Sequence, residues 1–90
     1  MRDPDLYAAL DRCDGSIARS EGSLALIRED IAETTQLLAA AEAVPVMSYD
    51  AAVRIVALRR ALAAQKAAES EVIAAISRAR DAREWAASYA

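Results

Sequence analysis

Hydrophobic positions recur every seven residues along the first half of the chain, at Leu10, Ile17, Leu24, Ile31 and Leu38, with Cys13, Ser20, Ile27 and Thr34 in the slots between them. Spacings of 3 and 4 residues place these side chains in one narrow stripe on one side of an α-helix, which only a second helix running alongside can cover. The second half of the chain carries the facing stripe, Ile55, Leu58, Leu62, Gln65, Glu69, Val72, Ile76 and Ala79, with two polar residues in its middle.

The signals that start and stop helices fall at both ends of these patterns. Asp3 can cap a helix whose first turn holds Pro4 and Asp5, because proline needs no amide partner there and a carboxylate complements the helix dipole. Helix 1 is predicted over about residues 4–44. Pro45 then removes a backbone donor and pushes Val44 out of the α region, leaving a connection over 45–48. Ser48 is the cap residue for helix 2, predicted over about 49–88, with Asp50 in its first turn. So short a connection requires antiparallel helices. The expected fold is all-α: a single domain over 1–90 forming an antiparallel, coiled-coil-like two-helix hairpin. Composition agrees, since 56% apolar residues rich in Ala with only two Gly and two Pro favour helix over sheet. The glycines, at 15 and 22, fall on the face opposite the seam.

The apolar residues outnumber what one seam can hold. Ala57, Ala61, Ala64, Ala68, Ala75, Ala79, Ala82 and Ala86 form a row of methyl groups flanking the helix 2 seam, and helix 1 has its own row in Ala18, Ala25, Ala32 and Ala39. Leu26, Leu37, Val53, Val56 and Ile73 also lie outside the minimal stripes. Contiguous apolar surface of this kind marks an interface, and small side chains let helix axes approach closely. Leu26, Leu37, Val53, Val56, Ala57, Ala64, Ala68 and Ile73 are therefore interface candidates. Tyr7, Trp85 and Tyr89 join them, because folding the chain gathers these aromatics at the end away from the connection, where they serve as clamps or anchors. The expected remedy for a small core is self-association, completing the hairpin as a four-helix bundle.

Charge changes the picture in two places. Residues 4–44 hold eight acids against three arginines, whereas residues 48–90 hold five acids against six arginines and Lys66, so the helices attract each other. Arg54, Arg59, Arg60 and Lys66 form a basic stretch suited to an anion such as a nucleotide phosphate, or to pairing with Glu29, Asp30 and Glu33 of helix 1. In the seam, Gln65 and Glu69 are expected level with Ser20 to Ile27, making a polar layer of Ser20, Gln65 and Glu69 that pins the register, with Ser20 as the partner of Glu69.

The net charge of −3 argues against general nucleic-acid binding, which needs a broad basic face. The chain has no His, a single Cys and no glycine loop, which removes the common metal, nucleophile and phosphate-loop arrangements. No enzyme activity and no cofactor are expected. Neither a signal peptide nor a membrane span is legible, so a soluble, cytoplasmic location is expected, in a bacterium, a host cell or a virion. In length and helicity alone the chain resembles small phage hairpins that oligomerise. It is also similar in size to the secreted helical hairpins with a Trp-x-Gly turn, but its connection reads Val-Pro-Val-Met-Ser, with neither residue. The expected function is that of a homo-oligomeric interaction or assembly module, a structural or accessory protein whose partner is itself or another protein. The alternatives are an oligomeric hairpin that sequesters an anion, and an adaptor or inhibitor docking on a larger protein.

Overall fold

A computed structural model describes residues 4–89 as two α-helices that pack against each other, α1 over Pro4–Glu42 and α2 over Tyr49–Ala87. Asp3, the expected cap of helix 1, lies outside the described residues. Helix α1 opens with Pro4 and carries Asp5 in its first turn. It stops at Glu42, two residues before the predicted end; the amide of Ala43 still reaches the Ala39 carbonyl at 3.0 Å, and Pro45 stops the chain from continuing. At the start of α2 the Ser48 hydroxyl accepts the Ala51 amide at 3.1 Å, which satisfies one of the helix's orphan donors. Helix α2 closes on a tightened turn in which the Tyr89 amide reaches the Ala86 carbonyl at 3.1 Å, and the Ser88 hydroxyl donates to the Trp85 carbonyl at 2.6 Å.

The chain divides into two compact units, one of Met1–Ala25 with Glu71–Ala90 and the other of Leu26–Ser70. The second is a helical hairpin in its own right, since it contains the connection. Its core sets Ile27, Ile31, Thr34 and Leu38 of α1 with Ile55, Leu58 and Leu62 of α2, all buried or half-buried. The first unit buries Leu10, Cys13, Ile17 and Leu24 in the same degree with Val72, Ile76, Ala79 and Ala86. Every slot of both predicted stripes is thus withdrawn at least in part from solvent. The deepest apolar side chains are Ile55 at 9% exposure and Ile76 and Ala86 at 6%, and among the described residues no large side chain is wholly buried. A helix with one neighbour can shield only one side of each seam residue.

Ion pairs flank the seam in each unit. In the second, Arg28 meets Glu69 at 3.2 Å and Arg59 meets Glu42 at 3.1 Å. In the first, Arg80 meets Glu21 at 2.9 Å and Arg83 bonds Asp14. Three of these four join an acid of α1 to an arginine of α2, as the division of charge between the helices requires. In each unit the α2 partner rises in number as the α1 partner falls, which is antiparallel packing. The side chains concerned are half or more exposed in most cases, so each pair is worth well under about 1 kcal/mol and sets register more than stability.

Two substitutions test this packing. Ile76→Ala should cost about 2–5 kcal/mol, as large-to-small changes at buried sites do; a thermal melt shifted by less than a few degrees would place Ile76 outside the core. Gly22→Ala should instead stabilise by about 0.5–1 kcal/mol, because a Cβ there meets nothing within 4 Å and the backbone has ordinary helical φ. Denaturant midpoints measure both.

Candidate functional site

The candidate interface residues divide between the two units. In the hairpin unit Leu26 is 63% exposed, and Leu37, Val53 and Val56 are also exposed. Ala57 and Ala64 stand in the open beside them, while Ala68 is half-buried against the seam. In the other unit Ile73, Tyr7, Trp85 and Tyr89 are exposed. None of these larger side chains has been absorbed into the pairing of α1 with α2. The connection adds apolar surface that spacing arguments pass over, since Val44, Val46, Met47 and Tyr49 belong to no periodic pattern yet are all more than half exposed.

Helix geometry decides which of these residues share a face. Tyr49, Ala52, Val53, Val56, Ala57 and Arg60 line one open concavity of about 410 Å³ along α2, on the side turned away from Ile55, Leu58 and Leu62. A second groove, of about 350 Å³, is lined by Leu37, Ala40, Ala41 and Val44 from α1 and the connection, with Ala51 and Arg54 from α2. Both are open to solvent, whereas a small-molecule site is a concave pocket that buries most of its ligand's surface.

The basic stretch is dispersed by the same geometry. Arg54 lines one groove and Arg60 the other, while Arg59 is held by Glu42 and Lys66 is exposed two turns further along. Successive helical residues turn about 100°, so consecutive Arg59 and Arg60 project in different directions. The four cations therefore do not converge on a point where one phosphate could be gripped. Glu42, rather than Glu29, Asp30 or Glu33, is the acid that takes Arg59.

The polar layer is arranged differently from its expected form. Glu69 accepts its bond from Arg28 at 3.2 Å, not from Ser20, which is half-buried in the other unit. The offset begins at the connection, where residue 44, already past the end of α1, lines a groove with Ala51, inside the first turn of α2. Interpolating between the Arg28–Glu69 and Arg59–Glu42 pairs puts Gln65 level with Thr34, the one buried polar residue among those described, at 7% exposure. The Gln65 Oε1 atom is buried without a hydrogen-bond partner, a state that carries a penalty of about 1–3 kcal/mol. Thr34 sits in the heptad as visibly as Ser20, so the composition of the layer was open to sequence reasoning once the register was known.

The aromatic residues are only partly joined. Trp85, in the last turn of α2, and Tyr89, just past its end, lie with ring centroids 4.9 Å apart and planes tilted by 59°. Tyr7 takes no part in this contact and is exposed at 38%. In the same unit, the hydrogen bond from Arg83 to Asp14, and then the charge of that carboxylate, hold the guanidinium above its ordinary pKa.

No group of three or more His, Cys, Asp or Glu side chains that could hold a metal ion occurs among the described residues, and none of their helices is long and apolar enough to cross a membrane. Cys13 is half-buried in the seam. Comparison of the chain with protein-family models, curated proteins and solved structures gives no match.

Gln65→Leu should raise stability by about 1 kcal/mol or more, since it fills the same seam position and removes the unpaired oxygen. A lower denaturant midpoint for this variant would mean that Gln65 is satisfied in solution.

Proposed function

We infer that the protein is a non-enzymatic assembly module that works as a homo-oligomer, with hairpins packing their outer faces to form a helical bundle. The observation that carries this reading is the row of large apolar side chains left uncovered on both helices, Leu26, Leu37, Val53, Val56 and Ile73 among them. Scattered exposed apolar residues are normal on a soluble protein, but here several lie on continuous helix faces with alanines between them. The shallow core supports the same reading, because partly shielded seam residues gain from a further layer. The apolar side chains Leu26, Val53 and Val56 are exposed on faces turned away from the seam, which suits contact with another copy.

Light scattering coupled to size exclusion over micromolar concentrations tests this reading. The expected mass is at least twice the 9.6 kDa of one chain. A mass of 9.6 kDa throughout would overturn self-association and leave docking on a different protein as the use of these faces.

A further inference from the structure

We propose that the outer face of α2 between Tyr49 and Arg60 is the surface on which a second copy of this chain docks, helix against helix and antiparallel, with Arg60 of each copy paired to Asp50 of the other. The proposal rests on the homo-oligomer reading and specifies its face and orientation.

Asp50, Val53, Ala57 and Arg60 follow one another at spacings of 3, 4 and 3, the spacing that builds a packing stripe on a helix. Tyr49 and Val56 flank the stripe, and Tyr49, Val53 and Val56 are exposed at 82%, 46% and 44%. This stripe reads as its own complement when reversed. An antiparallel partner sets Val53 against Ala57 and Ala57 against Val53 at the centre, a large side chain meeting a small one, and sets Arg60 against Asp50 at both ends. A parallel partner in register would instead place Asp50 on Asp50 and Arg60 on Arg60, and like charges in such positions are repulsive. The arrangement is the isologous, two-fold kind that most homodimers use.

The charges at the ends of the stripe are available for this purpose. Arg59 is engaged by Glu42 within its own chain, and Glu69 by Arg28, but neither Asp50 nor Arg60 enters an ion pair among the described residues. Arg60 lines the concavity together with Tyr49, Ala52, Val53, Val56 and Ala57, so a cationic residue adjoins the apolar patch. A hydrophobic centre with polar ends is the anatomy of a specific interface.

Two single variants and their mixture decide the matter. Arg60→Asp leaves only acids at the ends of the stripe and Asp50→Arg leaves only bases, so each alone should self-associate at least tenfold more weakly than the natural chain. Mixed in equal amounts they are complementary at both ends, and association should return to near the natural level as a complex containing one of each. Sedimentation equilibrium gives the constants, and circular dichroism confirms that both variants remain helical. If the natural chain associates while the variants associate equally well, or the mixture fails to recover, this face and orientation are overturned although self-association stands. If the natural chain is monomeric throughout, both the proposal and the reading beneath it fall.

Discussion

A helix with a single neighbour can bury one stripe of its surface and no more, and the thin core and the uncovered apolar faces of this chain follow from that limit. The seam of Leu10 to Leu38 on α1 finds its cover in the stripe of Ile55 to Ala79 on α2, yet the best-shielded apolar side chains, Ile55, Ile76 and Ala86, keep some contact with solvent. Apolar burial is the main favourable term in folding, and here it is spread thinly along the pairing. The same limit leaves Val53, Val56 and Leu37 with nothing to rest against inside one chain.

Polar residues then determine how the stripes align. Apolar layers tolerate sliding by a heptad, since one aliphatic side chain packs much like another. Charged partners discriminate better, and the pairs Arg28–Glu69 and Arg59–Glu42 in the hairpin unit add a modest preference for the alignment seen. The unpaired Oε1 of Gln65, level with buried Thr34, belongs to the same logic: a polar group in a seam costs free energy and penalises any register that moves it against a purely aliphatic layer.

The fold was legible in the sequence wherever it depends on local chemistry or on period. Pro4, Pro45 and Ser48 mark the ends of the helices because their backbone effects act over one turn, and the heptad names the buried face because the helix period is fixed. Register was not legible, since it depends on how six connecting residues travel and on where long arginine side chains reach. For that reason Glu69 was assigned to Ser20 when Arg28 is its partner. Arg54, Arg59, Arg60 and Lys66 are neighbours along the chain, but the helix period turns them in different directions: Arg54 and Arg60 line separate grooves, Arg59 pairs with Glu42 and Lys66 is exposed. Trp85 and Tyr89 are four residues apart in sequence, so their ring contact is a local one, whereas Tyr7 comes from the other helix and takes no part in it.

The tilted ring pair of Trp85 and Tyr89 has an optical consequence. Trp85 is the only indole in the chain, and it stands 66% exposed in the unit of residues 1–25 and 71–90. Intrinsic tryptophan emission therefore watches that unit alone, while far-ultraviolet dichroism averages over the amides of both. Should the two signals part company during unfolding, the melting of one half before the other would be visible without any label, and a single transition temperature would cease to describe the molecule.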